Sequence, residues 1–509
     1  MFRLLGLLGG LSLTTDLGTG APMEESLQRS LVATRLARAA GCTDEEVRAA
    51  LYTALLQHLG CTAYAHELSQ AFGDDVSATR LAFLTDTIHP VEMLRTWVPG
   101  LAAATGQRRS TVLLRTLARG RSVDVHGPPA TCDVAQQAAR RLSLAPAVQG
   151  GLAHILTMWN GAGYPGAAGT DIALPARLMH VAATAVLFGP ADADAAAAEV
   201  GRRAGTYLDP DLARAFRERA RTLMAGIGDD AYRQLLDCEP DPVILVGDDG
   251  LEGASRVFGD LVDLKSPRLH GHSRAVATTA SDAARRAGLG DADARTVLLA
   301  GHLHDLGRVA VPSRVWDKVS SLTASEQDQA VLHPYHSERI LDRIPSLAPV
   351  AVLAGQHHER CDGTGYHRGI AAPQLSMASR VLAAADAYQC LLEDHPGQPG
   401  VTGEQAADRL AAGGRSGKLD PQAVSAVLAT VGHRHHASGP LPSALTSRQV
   451  EVLRLMAAGL SNPEIASRLV ISRRTAEHHV QDVYQRIGTS TRAGAALYAM
   501  EHGLLGKPG

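Results

Sequence analysis

The stretch Gly288–Gly307, GLGDADARTVLLAGHLHDLG, decides how this chain is read. It aligns without gaps with Gly41–Gly60, GCTDEEVRAALYTALLQHLG, which reveals an internal repeat. Later matches keep the same order. Ser143-Leu144-Ala145-Pro146 pairs with Ser346-Leu347-Ala348-Pro349, Gly161-Ala162-Gly163-Tyr164 with Gly363-Thr364-Gly365-Tyr366, and Leu208-Asp209-Pro210 with Leu419-Asp420-Pro421. A repeat this long is a duplicated domain rather than a solenoid. Within the stretch, Ala294, Val297, Leu298 and Leu303 approximate one face of a helix that starts at Asp291 and stops at Gly307. Pro349 to Glu359 reads as another helix, closed by the loop Asp362-Gly363-Thr364-Gly365. No sustained alternation of apolar and polar residues appears, so both copies are expected to be helical. Pro242 to Val246 is one short candidate strand.

Working outward, 509 residues suggest about three domains. With 20% charged and 45% hydrophobic residues, general disorder is excluded. Aromatic residues make up only 4%, so the cores are built from Ala, Leu and Val, and alanine favours helix. A net charge of -3 excludes a uniformly basic protein, so a nucleic-acid surface has to be local. The six cysteines are scattered without a Cys-x-x-Cys pair, which excludes a disulfide scaffold and a Cys-rich zinc module. A reducing, cytoplasmic compartment is the expectation. No apolar run approaches the ~20 residues of a membrane span. Met1 to Leu13, with Arg3 as its basic residue, reads as a buried first helix rather than a signal peptide. The expected domains are residues 1–236 for the first copy, 237–432 for the second, a linker at 433–440 and a third module at 441–509.

Nine of the 22 histidines lie between His270 and His367. His304-Asp305 ends an apolar helix, where a buried carboxylate is costly unless it is paired or bound to metal. His357-His358 ends another. Imidazole with carboxylate suits Fe, Mn or Zn, and these residue types do not choose among them. On these motifs the second copy resembles the HD-GYP branch of the HD phosphohydrolases over Lys265–Pro421. His272-Ser273-Arg274-Ala275-Val276 is similar to that family's leading ligand helix, and His304-Asp305-Leu306-Gly307-Arg308 to its HD-x-G-K signature. His333-Pro334 occupies the next ligand position. His357-His358-Glu359-Arg360-Cys361-Asp362-Gly363-Thr364-Gly365-Tyr366-His367 is similar to HHE-x-x-DGxGYP, and Asp386 falls where the family has its last carboxylate. The resemblance implies that His272, His304, His333, His357, His358, Asp305 and Asp386 surround two divalent transition-metal ions, Fe or Mn first and Zn next, with Asp305 bridging. Such a pair can activate a shared water and clamp a phosphoryl oxygen. The implied activity is phosphodiester hydrolysis of a nucleotide or cyclic dinucleotide such as cyclic di-GMP. The other reading is a regulator that binds a nucleotide or metal at a silent HD site.

Three positions depart from the family pattern. Arg268 stands where some members carry a glutamate for a third metal, so two metals are expected. Arg308 replaces the phosphate-holding lysine; its fork still binds phosphate, in another geometry, and it is the second expected catalytic residue beside Asp305. His367 replaces the GYP proline, and His367 and His336 are expected to be loop or surface residues rather than extra ligands. In the first copy Glu25 stands opposite His272, Gln57-His58 opposite His304-Asp305, and Ala183 opposite Asp386. His154 alone could match one of the paired histidines. That copy is expected to be structural, sensory or dimerising.

The tail carries three helix-start signals: the capping boxes Thr446-Ser447-Arg448-Gln449 and Ser461-Asn462-Pro463-Glu464, and Ser472 ahead of a helix reaching about Ile487. Ala476, Val480, Val483, Tyr484 and Ile487 form its apolar face. A short helix, a tight turn and a second helix with polar N-terminal residues suit insertion into a DNA major groove. LTSRQVEVLRLMAAGLSNPEIASRLVISRRTAEHHVQDVYQRIG resembles the LuxR-type helix-turn-helix. The resemblance implies double-stranded DNA as partner, Arg473, Arg474, Thr475 and His479 as contact residues, and a fourth helix over Thr491–Leu504 that makes a homodimer. Eight basic against five acidic residues give this module a local charge of +3. The fold expected overall is all-α: two HD-type helical domains in tandem, then a four-helix DNA-binding domain.

Overall fold

The computed structural model describes residues 1–85, 90–432 and 445–505. The expected linker at 433–440 lies outside the described residues. The architecture is all-α. Sheet among the described residues is confined to two antiparallel pairs of two-residue strands, Phe2–Arg3 with Leu245–Val246 and Leu156–Thr157 with Gly163–Tyr164. The chain divides into two units, Met1–Ala254 and Ser255–Gly509. Residues past 236 are held in the first unit by that strand pair and by Glu239, which accepts hydrogen bonds from Arg3 Nε at 2.7 Å and Tyr52 Oη at 3.0 Å.

The first unit is built on the helix Leu4–Gly18, whose sequence is apolar all round and which is accordingly buried on all sides. Helices Glu25–Ala39 and Asp44–Leu55 pack beside it. The second unit contains an equivalent pair, His272–Arg286 and Asp291–Leu303. Val276, Ala277, Ala280, Ala283 and Ala284 of one meet Val297, Ala300 and Leu303 of the other, all buried. The small alanines permit close approach, and each buried Val or Leu adds about 1.5–3 kcal/mol. Gly301 is needed here, since a Cβ on it would lie 2.3 Å from the Ala277 Cα.

The units repeat their polar fixtures as well. Asp16 accepts from Ser26 N and Oγ at 3.1 and 2.9 Å, and Asp263 accepts from Ser273 N and Oγ at 3.0 and 2.8 Å. Arg177 pairs with Asp209, and Arg380 with Asp420, each at 2.9 Å. Those two aspartates also cap the helices Pro210–Met224 and Pro421–Gly432. The first unit carries a small separate core of Phe72, Trp97, Leu101 and Val112 along the long helix Arg109–Arg141, and the second a smaller one of Val311, Val315 and Ala330.

Two helices stop earlier than the sequence suggests. The helix expected to run from Asp291 to Gly307 ends at Leu303 and gives way to a 3-10 turn, Leu306–Ala310. The helix expected over 349–359 is Ala348–Gln356. In both cases the histidines lie just past the break. Gly307 allows this path: a Cβ there would sit 2.1 Å from the His333 carbonyl oxygen.

The tail forms four helices, Ser447–Ala457, Asn462–Leu469, Arg473–Ile487 and Arg492–Glu501. Both expected capping boxes are formed, and Ser472 Oγ accepts from Thr475 N at 3.1 Å.

Candidate functional site

Seven side chains from five segments converge inside the second unit. His272 is the first residue of its helix; His304 and Asp305 fill the break after Leu303; His333 opens the helix His333–Leu341; His357 and His358 follow Gln356; Asp386 lies inside Met377–Leu392. They form two trios of donor atoms, each within 4.8 Å: His272, His304 and Asp386, and His333, His357 and His358. Asp305 lies between the trios. Its Oδ1 is 3.3 Å from His333 Nε2 and 3.5 Å from His357 Nε2, and its Oδ2 is 3.6 Å from His272 Nε2 and 3.5 Å from His304 Nε2. All seven except His358 are buried.

The backbone orients the rings. His304 Nδ1 lies 2.8 Å from Gly301 O, His333 Nδ1 2.6 Å from Ala330 O, and His357 Nδ1 2.6 Å from Ala354 O. A carbonyl only accepts, so each Nδ1 carries the proton and each neutral ring presents an Nε2 lone pair to the centre. Two of these lone pairs crowd together, with His333 Nε2 to His357 Nε2 at 3.1 Å. Asp305 Oδ1, also buried, has no hydrogen bond. Facing acceptors with no donor between them are stabilised by cations, so the donor set fits divalent metal ions.

Electrostatics agree. Burial pushes His304 down to about 4 and also lowers His333 and His358, which keeps these rings neutral. Burial would raise Asp305, but the adjacent Arg308 guanidinium outweighs it and holds the carboxyl well below its usual range. Asp386 is held low against burial chiefly by its hydrogen bond from His272, whose ring Glu393 and Asp386 in turn push well above its usual value.

Arg308 turns back into the site. Its Nη1 is 2.8 Å from Asp305 Oδ2, and its guanidinium lies 4.3 Å above the Trp316 ring. His336 and His367 belong to neither trio, and His367 Nε2 comes no closer than 4.0 Å to Glu338. Arg268 pairs with Asp317 at 2.8 Å. Sequence reasoning missed Glu393, whose Oε1 is 2.8 Å from His272 Nδ1 and plays there the part that carbonyls play for the other rings. The signal was present: Asp386, Cys390 and Glu393 follow an i, i+4, i+7 spacing along one helix face.

In the first unit a buried arginine sits among the residues that the sequence repeat sets opposite His272 and Asp305. Arg29 hydrogen-bonds His58 Nε2 and lies 3.6 Å from both Asp16 and Glu25, while Arg80 pairs with Glu25 at 2.9 Å. His154 accepts from Ala173 N at 3.3 Å.

On the tail, Arg473, Arg474 and Thr475 are exposed and His479 is half-buried, all on the helix whose Ala476, Val480 and Val483 are buried. Arg473 is tied to Glu477 at 2.8 Å, and Thr475 Oγ1 to Ser472 Oγ at 2.7 Å. The module rests on residues 267–274. His270 Nδ1 is 2.7 Å from Ala457 O, and Arg274 Nη1 donates to Glu501 O at 3.5 Å.

Two family patterns match the chain: the HD domain over residues 256–423, and bacterial regulatory proteins of the LuxR family over residues 443–499. A 3'3'-cGAMP-specific phosphodiesterase 3 of Vibrio cholerae is 28% identical over 407 residues, 78% of this chain and 87% of that protein. A cyclic di-GMP phosphodiesterase of Pseudomonas aeruginosa is 37% identical over 162 residues, 32% of this chain and 39% of the relative. The crystal structure of a cyclic GMP-AMP specific phosphodiesterase of V. cholerae matches with a TM-score of 0.57 at 22% identity, over 87% of this chain and 100% of that one, and so shares the fold. Residues 256–423 are therefore an HD domain of the metal-dependent phosphohydrolase class. The chain joins this HD-GYP-type domain to a C-terminal LuxR-family helix-turn-helix. No helix among the described residues is long and apolar enough to cross a membrane.

Proposed function

We propose that this chain is a cytoplasmic, DNA-binding regulator that hydrolyses a cyclic dinucleotide at a pair of divalent transition-metal ions, Fe or Mn by preference and Zn as the next fit. One observation carries this reading: two trios of donors face the two oxygens of a single carboxylate, Asp305. His272, His304 and Asp386 would hold one ion, His333, His357 and His358 the other, and Asp305 both. When bound, the ions supply Lewis acidity and an activated water. The chain's own groups do the rest. The Nδ1 bonds fix the rings, Glu393 orients His272, and Arg308 brings a cation to the edge of the site for the phosphate.

Regulation has a physical route. The DNA-binding module sits on residues 267–274, which lead directly into His272. A ligand that shifts this segment changes the seat of the module, and linkage requires DNA to act back on the site by the same factor. Arg473, Arg474, Thr475 and His479 are the proposed DNA contacts, made by a homodimer through the Arg492–Glu501 helix. Arg474, exposed and without an ion pair among the described residues, is the principal one. Arg474→Ala is expected to weaken operator binding by about 1–3 kcal/mol in gel shifts.

The Arg308–Asp305 ion pair favours a second reading, a silent HD site used for sensing, because it ties up the phosphate-binding cation. One experiment separates the two. Metal-loaded protein is given a panel of cyclic and linear dinucleotides, scored together for hydrolysis and for altered DNA binding. Turnover of a cyclic dinucleotide supports the enzyme. Altered DNA binding without turnover supports the sensor.

A further inference from the structure

Cys390 is the one cysteine among the described residues that joins a cluster of metal-binding donors. It lies one turn past Asp386 on the helix Met377–Leu392, and Glu393 follows the last residue of that helix. A nitrogen of His272, the Cys390 sulfur and a Glu393 oxygen all lie within 4.8 Å of one another. Tetrahedral zinc holds sulfur at about 2.3 Å and nitrogen or oxygen at about 2.0–2.2 Å. Donors already this close meet one ion through small side-chain rotations.

The surroundings of the thiol suit a cation better than simple packing. A cysteine that only fills space behaves as a small hydrophobe. Cys390 Sγ is instead 3.5 Å from Asp386 Oδ1, with the Glu393 carboxylate on its other side. Glu393 Oε1 is itself placed by His272 Nδ1 at 2.8 Å and Gln389 Nε2 at 2.9 Å. The Arg308 guanidinium, which also acts on the thiol, is held by Asp305 at 2.8 Å. Asp386, Cys390 and Glu393 all line a cleft of about 570 Å³, which gives an ion a way in from solvent.

We propose that Cys390, Glu393 and His272 form a site for a thiophilic divalent ion such as Zn²⁺, and that this site competes with the main cluster for His272. A thiolate favours zinc over manganese, whereas the two trios around Asp305 offer imidazole and carboxylate alone. On binding, the thiol proton and the His272 Nδ1 proton pass to solvent, and the ion takes the place of the Nδ1–Glu393 contact that orients the ring. The site stands on its own three donors; the competition rests on the metal centre proposed above. Excess zinc then acts as a brake on that centre.

The test titrates the full chain with Co²⁺, whose bond to a thiolate gives an intense charge-transfer absorption that nitrogen and oxygen donors do not give. The band is expected in the wild type and lost in Cys390→Ser. In Glu393→Gln the Co²⁺ concentration at half-saturation is expected to rise at least about tenfold, and excess Mn²⁺ is expected to raise it by about as much in the wild type. No band in the wild type, or an undiminished band in Cys390→Ser, overturns the site. A measurement without a variant follows alkylation of Cys390 by iodoacetamide through peptide mass spectrometry. Zn²⁺ is expected to slow it at least about tenfold; equal rates with and without Zn²⁺ also overturn the site. A Co²⁺ titration unmoved by Mn²⁺ overturns the competition when metal analysis finds Mn²⁺ bound. If no Mn²⁺ binds, the metal-centre reading fails and the competition with it, while the thiolate band decides the Cys390 site separately.

Discussion

Asp305→Asn is expected to lower phosphodiester turnover at least about a thousandfold and to reduce bound metal below roughly two ions per chain. The asparagine has the shape of the original side chain, but it removes a full negative charge from a position shared by both trios. Its amide NH2 also has to face either the imidazoles beside Oδ1 or the Arg308 guanidinium beside Oδ2. The second placement sets donor against donor, and the first replaces one carboxylate acceptor with a donor toward the centre. Metal analysis of the purified variant and initial rates on bis(p-nitrophenyl) phosphate read the two effects. A variant with wild-type metal content and turnover would remove Asp305 from the centre of the mechanism.

Arg29→Leu is expected to destabilise the first unit by about 3–5 kcal/mol, the usual cost of removing one partner from a buried charge cluster. Leucine leaves Asp16 and His58 without their guanidinium and Glu25 with Arg80 alone. A pH signature accompanies it. Burial raises Asp16 to about 7 in the folded chain, with Arg29 opposing the rise. The folded state therefore binds this proton more tightly than the unfolded state. The resulting stabilisation is complete below about pH 4 and is lost as pH climbs to about 7. Asp16→Asn is expected to flatten this slope, and Arg29→Leu to extend it to higher pH. Hydrogen exchange of the Glu25–Ala39 helix at several pH values measures both.

Much of this architecture is legible in the sequence because its signals are local or strictly ordered. The boxes at Thr446 and Ser461 and the cap at Ser472 declare helix starts through contacts within three residues. The histidines and aspartates of the proposed metal site stand out because imidazole-carboxylate pairs at the ends of apolar helices have no ordinary packing role. Helix ends were harder to place. Apolar periodicity runs on through His304, and the stop at Leu303 reflects the approach of Gly307 to the His333 backbone, a contact between distant segments. The same holds for Glu393 against His272 and for Arg308 folded onto Asp305 above Trp316: each side chain is ordinary in sequence and gains its role from a tertiary neighbour. The separate core around Trp97 lies between Gly60 and Ser143, a stretch in which the repeat offers no aligned motif.

Arg29 gives the two copies different vulnerabilities. In the first, the positive charge that neutralises the interior is covalently attached, synthesised with the chain and impossible to chelate. In the second, it has to be borrowed from the surroundings. On the reading proposed above, loss of metal therefore reaches only one of the two halves, and it is the half on which the helix-turn-helix rests.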